Sequence, residues 1–298
     1  MRPMIPRQLQ IALRRQIARY KRKKYTHIWP IDPNSASPPT GWVGWPNGKQ
    51  FALVLSHDVD NQKGQERVLE LAKLEMRLGF RSAFNFVPER YTNHEEIKKF
   101  LRTNGFEIGV HGLTHDGKLF RNKSIFDQRA QKINTYLQEW GSTGFTSPSM
   151  HHNLSWLHSL NITHSISTFD TDPFEPQPDP VRTIFPFWVP NEKNQYGYVE
   201  LPYTMPQDHL LFVILQEKNI DIWKKKLDWI ADKGGMVLLN THSDYMNING
   251  GKLGKEEYPI GHYIELLSYM KSAHAGQFWH ANPFEIASYW KRHMVGDG

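Results

Sequence analysis

Short apolar runs alternate with amphipathic segments from residue 51 to the end of the chain, and this alternation restricts the fold more than any other feature of the sequence. Short apolar runs are typical of buried strands, and the longer segments between them carry apolar residues at helical spacing. Strands that alternate with helices form βα units around a mainly parallel sheet. The sequence therefore predicts an α/β fold with its ligands at the carboxyl ends of the strands.

The individual elements follow from the same patterns. Strands are predicted at residues 51–55, 83–87, 106–110, 165–168, 198–201, 211–215 and 236–240. Helices are predicted at residues 68–78, 95–101, 127–140, 156–160, 220–231, 263–270 and 284–290. A turn is predicted at Phe145.

The positive charge of the chain is concentrated at its N-terminus. Nine of the 36 Lys and Arg residues lie within residues 1–25, which contain no acidic residue, so the remaining 27 basic residues stand against 30 acidic ones. A nucleic-acid footprint would instead be spread over a binding face of the fold. We therefore expect no nucleic-acid partner.

The N-terminal region divides into a leader and a connector, so we assign residues 1–47 to an extension and residues 48–298 to one catalytic domain. Apolar residues in the leader recur at helical spacing among arginines, which predicts a short basic amphipathic helix. Such a helix lies on anionic lipid, packs on the domain with solvated arginines, or frays at the terminus. Residues 30–47 are rich in Pro, Ser and Gly and form the connector.

Targeting signals are weak in this sequence. No apolar run is long enough to span a membrane. The chain contains no Cys, which excludes a disulfide framework and a thiolate metal site. The leader carries the charges of a signal peptide without its apolar segment. We expect a cytoplasmic protein that contacts the inner face of the membrane peripherally through residues 1–25; the oligomeric state is left open.

Two carboxylates follow the first predicted strand. Asp58 and Asp60 are two residues apart, so in an extended segment they face the same way. Carboxylates this close repel each other unless a cation lies between or beside them. The alternative is a turn in which the Asp side chains bond to the backbone.

Histidines follow two other predicted strands. His111 and His115 lie four residues apart after the strand at 106–110, and His242 follows the strand at 236–240. Imidazole is a common ligand of zinc and similar metals. Two His and one carboxylate leave coordination positions open for water and substrate, as a hydrolytic metal requires. A lone His such as His242 is otherwise more often structural.

These clusters resemble the motifs of the polysaccharide deacetylases, the NodB-like enzymes of carbohydrate esterase family 4. Residues 56–60 (Ser-His-Asp-Val-Asp) resemble an Asp-Val-Asp variant of the family's first motif, Thr-Phe-Asp-Asp-Gly. Residues 111–115 resemble its His-(Ser/Thr)-x-x-His motif with Gly112 in the Ser/Thr place, and residues 239–242 its late Leu-x-x-His. The resemblance covers roughly residues 50–245 and implies an irregular (β/α) barrel, for which we expect seven strands.

The resemblance also implies the role of each residue. Asp60, His111 and His115 would hold a divalent metal, with Zn expected first and Co, Ni or Fe acceptable. Asp58 would be the general base and His242 the general acid. The implied reaction removes an N-acyl group, typically acetyl, from an amino sugar of a polysaccharide or of a lipid- or nucleotide-linked glycan precursor in surface-polysaccharide assembly. The alternatives are an inactive homologue that binds metal or carbohydrate, and an amide hydrolase of a different small substrate.

The third motif departs from the family. The family usually has Arg-x-Pro after a Gly-Phe pair, whereas this chain has Thr146 in the Arg place and keeps Pro148. Loss of the Arg removes the donors that would orient the base. Either another cation replaces it, for which Arg182 is a candidate, or catalysis is altered or absent. We list Thr146, Pro148, Asp170 and Asp172 as expected substrate-binding residues, the last two being equally consistent with a solvated loop.

Overall fold

Nine strands form one curled sheet in the computed structural model, which describes residues 6–191 and 196–296 of the chain. Seven of these strands run parallel, namely β1 (Phe51–Val59), β2 (Ala83–Phe86), β3 (Glu107–His111), β4 (Gly144–Thr146), β5 (His164–Ile166), β7 (Gly197–Glu200) and β8 (Met236–His242). Their order in the sheet is β8-β1-β2-β3-β4-β5-β7.

The two ends of this parallel series come together. After β7 the backbone N–H groups of Thr204 and Met205 both donate to the carbonyl of Leu238 in β8, each at 3.1 Å. The sheet is therefore curled into a distorted (β/α) barrel, and the predicted fold with seven parallel strands is confirmed.

Four further strands complete the described β structure, and the sequence patterns predicted none of them. The antiparallel strand β6 (Phe187–Pro190) pairs with β7, and β11 (Phe278–His280) runs parallel to the first residues of β1. Strands β9 (Met246–Asn247) and β10 (Tyr258–Pro259) form a separate two-stranded pair. Strands this short contain too few residues to show an alternation.

Helices connect the strands and surround the sheet. They are α1 (Arg7–Lys24), α2 (Gln62–Leu78), α3 (Glu95–Thr103), α4 (Lys123–Glu139), α5 (Leu154–Leu157), α6 (Asp221–Lys233), α7 (Gly261–Ala273) and α8 (Pro283–Trp290), with π-helices at His209–Ile214 and Lys291–Val295. None of the helices within the described ranges has the length and hydropathy needed to cross a membrane. The predicted leader helix is confirmed as α1, although residues 1–5 of the leader lie outside the described part.

Two predictions of local structure are wrong. The apolar run at residues 211–215 predicts a strand, but these residues lie mostly in the π-helix His209–Ile214, whose apolar side chains are buried. A short apolar run does not distinguish a buried strand from a buried helix. The turn predicted at Phe145 is also wrong, because Phe145 lies in the middle of β4, paired with β3 on one side and β5 on the other.

Strand β1 is buried along its whole length. Because successive side chains of a strand point to opposite faces, His57 and Asp58 lie on opposite sides of the sheet. His57 faces the helices, where its Nε2 lies 2.7 Å from Glu75 Oε1 and its Nδ1 lies 2.7 Å from Thr241 Oγ1. Burial alone would raise the pKa of Glu75, but His57 holds it below its ordinary value. His57 is thus a structural histidine, whereas its neighbour Asp58 faces the interior of the barrel.

Candidate active site

The carboxyl ends of three parallel strands bring the predicted site residues together. Asp58 in β1 is the register partner of His242 in β8 on one side and of Asn85 in β2 on the other. His111 ends β3, one strand further along the sheet. Because all these strands point the same way, their last side chains lie at one mouth of the barrel.

Asp60 lies between two imidazoles. Its Oδ1 is 3.3 Å from His111 Nε2 and 3.2 Å from His115 Nε2, and the three candidate ligand atoms all lie within 4.8 Å of one another. This Oδ1 is buried and makes no hydrogen bond. Burial alone would raise the pKa of Asp60, but the two imidazoles hold it well below its usual range. An anionic oxygen without a hydrogen-bond donor, facing two imidazole nitrogens, fits a divalent cation.

The turn between the two imidazoles leaves no space for a side chain at Gly112. Gly112 has a φ of +62°, and a Cβ at this position would lie 2.4 Å from Pro148 Cγ. His115 also has a positive φ, at 52°. The packing of Pro148 on the turn therefore accounts for glycine in the place where the family motif usually has Ser or Thr.

Asp58 is surrounded by neutral donors instead of an arginine. Its Oδ2 accepts from Asn240 Nδ2 at 2.8 Å, and its Oδ1 accepts from Asn85 Nδ2 at 3.0 Å and from the Thr146 hydroxyl at 3.3 Å. Arg182 is exposed and is not one of these donors. Three uncharged groups thus fix the orientation of Asp58 without the ion pair that the resemblance implied.

Thr146 links the candidate base to a candidate metal ligand. Thr146 is the register partner of His111 across β3 and β4, and its Oγ1 lies 2.6 Å from His111 Nδ1. If Nε2 of His111 holds a cation, Nδ1 would carry the proton and donate to the threonine, whose own hydroxyl donates to Asp58. A hydrogen bond of this kind fixes the tautomer and ring orientation of a metal-binding histidine.

The carboxylate of Asp208 determines the protonation state of His242. Asp208 Oδ1 lies 2.8 Å from His242 Nδ1, and Asp208 Oδ2 accepts from the His242 backbone N–H at 2.9 Å and from the Tyr258 hydroxyl at 3.1 Å. Burial alone would lower the pKa of His242, but Asp208, aided by Asp60 and Asp58, raises it to about 10. His242 is therefore an imidazolium, a proton donor, at neutral pH.

The sequence patterns did not identify Asp208 or Asp244 as site residues. Asp244 Oδ2 accepts from the Asp60 backbone N–H at 2.9 Å, whereas its Oδ1 is buried without a hydrogen bond. Burial and the nearby Asp60 raise the pKa of Asp244 to about 7. Its position two residues after His242 was the one signal in the sequence that could have indicated it.

A cavity of about 660 Å³ opens above these groups. The site residues that line it are Asp58, Asp60, His111, His115, His242 and Asp244. Helix α1 also lines this cavity, through Arg14, Ile17, Ala18 and Lys21. The volume is that of a small-molecule site, and the lining combines both charge signs with imidazoles.

The four expected substrate-binding residues do not line this cavity. Thr146 is buried beneath it, and Pro148 lines a neighbouring cavity of about 310 Å³. Asp170 is buried against Lys226, whose Nζ lies 2.5 Å from Asp170 Oδ2. Asp172 accepts from the Phe174 backbone N–H at 2.8 Å and from a tyrosine hydroxyl. Asp170 and Asp172 are thus placed in the protein interior and not in a solvated loop, and direct contact of the four residues with substrate stays a prediction.

Comparisons with known proteins agree with this architecture at the level of fold. No protein-family model and no curated protein matches the chain. Among solved structures, an allantoinase, PuuE, has a TM-score of 0.66 at 16% identity, covering 91% of this chain and 99% of its own. A candidate polysaccharide deacetylase from Mycobacterium smegmatis has a TM-score of 0.64 at 17% identity, covering 85% and 94%. A probable polysaccharide deacetylase from Pseudomonas aeruginosa PAO1 has a TM-score of 0.64 at 16% identity, covering 88% and 97%. The chain shares the fold of these proteins.

Proposed function

We propose that the chain is a metal-dependent hydrolase that removes an N-acyl group, most simply acetyl, from an amino sugar. The observation that carries the proposal is the buried, unbonded Oδ1 of Asp60 between the Nε2 atoms of His111 and His115. Asp58 and His242, on adjacent strands of the same barrel mouth, supply a carboxylate and an imidazolium beside this cluster.

The proposed roles follow from the chemistry of each group. A divalent metal, Zn by default, held by Asp60, His111 and His115 would supply Lewis-acid polarisation of the acyl carbonyl and activation of a water. Asp58 accepts the proton of the attacking water, held in orientation by its three neutral donors. His242 then donates its Nε2 proton to the leaving nitrogen, while Asp208 holds Nδ1 and favours the charged form.

The overall reaction balances without a further reactant. A bond forms between the water oxygen and the acyl carbon, and the bond from that carbon to the sugar nitrogen breaks. One proton of the water goes to Asp58 and a proton of His242 goes to the nitrogen, and exchange with solvent then deprotonates Asp58 and reprotonates His242. The products are a free amine and a short carboxylic acid such as acetic acid, which loses the second proton of the water to solvent and leaves as the carboxylate.

The substrate class that we propose is a polysaccharide or a lipid- or nucleotide-linked glycan precursor. The support is the resemblance of the motifs, the fold shared with two structures named as polysaccharide deacetylases, and a cavity of suitable size. We also propose, independently of the hydrolysis, that the protein is cytoplasmic and contacts the membrane peripherally through its leader. The placement of α1 in the wall of the cavity supports a role for the leader at the site.

A second candidate function is hydrolysis of a small amide that is not a sugar. The structural match to an allantoinase over 99% of that chain favours it. An inactive binding homologue is a third candidate, favoured by Thr146 in place of the arginine.

The test measures acetate release from N-acetylated oligosaccharides and N-acetylated nucleotide sugars, and ring opening of cyclic amides in the same panel. The proposal expects metal-dependent release from a sugar substrate and its loss in Asp58→Asn, while Asp232→Asn, a substitution of an exposed aspartate, retains activity. Turnover of cyclic amides alone would favour the second candidate. Bound metal without turnover of any member would favour the inactive homologue.

A further inference from the structure

The outward face of α1 carries a stripe of exposed apolar side chains. Leu9, Leu13, Ile17 and Tyr20 are 59%, 54%, 47% and 67% exposed, and they are spaced four, four and three residues apart. This spacing places them on one side of a helix. They account for four of the nine large apolar side chains that are exposed in the described part of the chain, so exposed apolar side chains are concentrated on this face of α1.

The opposite face of α1 is firmly packed on the barrel. Ile11 and Ala18 are buried, and Arg15 donates to the carbonyl of Val213 from Nε at 3.1 Å and from Nη2 at 2.9 Å. Lys21 donates to the carbonyl of Pro173 at 2.6 Å. The helix thus has a fixed orientation, and the apolar stripe is presented outward by the fold.

Positive charge surrounds the stripe. Helix α1 carries Arg14, Arg19 and Lys24 among its basic residues, and the first acidic residue of the chain is Asp32. A helix with an apolar stripe between basic flanks matches an anionic lipid surface, because its apolar side chains enter the boundary of the acyl region while its cations meet the lipid phosphates. An acidic partner without an apolar groove would account for the charges but not for the exposed leucines.

The stripe is continuous with the candidate active site. Ile17 belongs both to the stripe and to the lining of the cavity, and Arg14 and Lys21 line the cavity from the same helix. The carboxylates Glu175 and Glu256 also line it. The cavity therefore opens beside the apolar stripe, and two cations of the same helix belong to its lining.

We propose that α1 docks the protein on an anionic bilayer through Leu9, Leu13, Ile17 and Tyr20, and that the docked orientation opens the cavity toward the lipid headgroups. A substrate anchored in the bilayer through a phosphate then enters past Arg14 and Lys21. This statement about the substrate rests on the proposed function, whereas the docking does not.

Docking is tested by co-sedimentation of the full-length protein with vesicles, in the absence of substrate. We expect binding to vesicles of phosphatidylglycerol and phosphatidylcholine, little binding to pure phosphatidylcholine, and weakening as salt is raised. The variant Leu9→Ser/Leu13→Ser/Tyr20→Ser removes three exposed side chains that do not line the cavity, and it should reduce binding by about tenfold or more. The matched control is Val43→Ser, a 61% exposed side chain outside α1, which should bind as the wild type does.

The outcomes separate docking from catalysis. Equal binding of the wild type and the triple variant, or no binding to anionic vesicles, would overturn the docking. A dimer in sedimentation velocity that the triple variant abolishes, without vesicle binding, would overturn it in favour of a second copy of the chain. Vesicle binding by a protein that hydrolyses no member of the substrate panel would support docking while overturning the proposed function.

Discussion

Replacement of Asp208 by Asn should change the pH dependence of catalysis, because Asp208 raises the pKa of His242. The substitution keeps a side chain of the same shape beside His242 and removes the negative charge that lies 2.8 Å from Nδ1. Burial alone would lower the pKa of His242, and Asp208 is the largest influence that raises it to about 10. Without that charge the pKa should fall toward the ordinary value for histidine.

The size and direction of the effect can be estimated. An opposite charge at this range raises the pKa of an imidazole by about 1–3 units. Because a general acid must carry its proton, activity is lost as the pH rises through the pKa of His242, and a lower pKa moves the alkaline limb of the profile to lower pH. At a pH above the alkaline limb of both proteins, a downward shift of about two units reduces the protonated fraction of His242, and so the rate, by about a hundredfold. A cation at Asp60 lowers the pKa of His242 in both proteins, so the difference between them keeps its sign.

The assay is kcat/KM for acetate release measured from pH 5 to pH 11, which reports the ionisations of the free enzyme. The control is Asp228→Asn, which removes a half-exposed carboxylate 2.9 Å from His274 Nε2, outside the cavity. The control should leave the profile unchanged. A folded, metal-loaded Asp208→Asn protein with the alkaline limb of the wild type would refute the assignment of His242 as the acid.

Two further predictions concern the departures from the family motifs. Thr146→Val should lower kcat by about 10–100-fold, because it removes the hydroxyl that donates to Asp58, whereas Thr146→Ser should retain most activity in the same steady-state assay. Equal activity in both variants would contradict the bridging role. Gly112→Ala should destabilise the fold by about 2–4 kcal/mol in urea denaturation, since its Cβ would meet Pro148 and its φ is positive. Gly117→Ala, at φ +71° with open space around it, should cost about 1 kcal/mol, and equal losses at both glycines would contradict the packing argument.

The sequence predicted those parts of the site that are close together along the chain. Asp58 and Asp60 share a strand end, and His111 and His115 share one turn, so their spacing was informative. The parallel order of the strands then required these ends to meet. Asp208 could not be recognised in this way, since it lies 34 residues from His242, just before an apolar segment that was predicted to be a strand and is a π-helix.

The role of Thr146 and the position of α1 also depended on contacts that the sequence does not reveal. The spacing of the motifs identified the missing arginine, but the bond of Thr146 to His111 arises from the register of β3 and β4. The leader helix was predictable from its spacing. Its place in the cavity wall follows from long-range contacts such as the one between Arg15 and Val213, 198 residues apart.

Asp60, His111 and His115 should hold a divalent metal in solution, and elemental analysis of the purified protein measures whether they do. For protein never exposed to a chelator, we expect about one divalent metal per chain in the wild type and in Asp232→Asn. We expect little metal in His111→Ala/His115→Ala, provided that circular dichroism shows the fold retained. A wild type without metal, or a double variant that keeps its full complement, would contradict the claim.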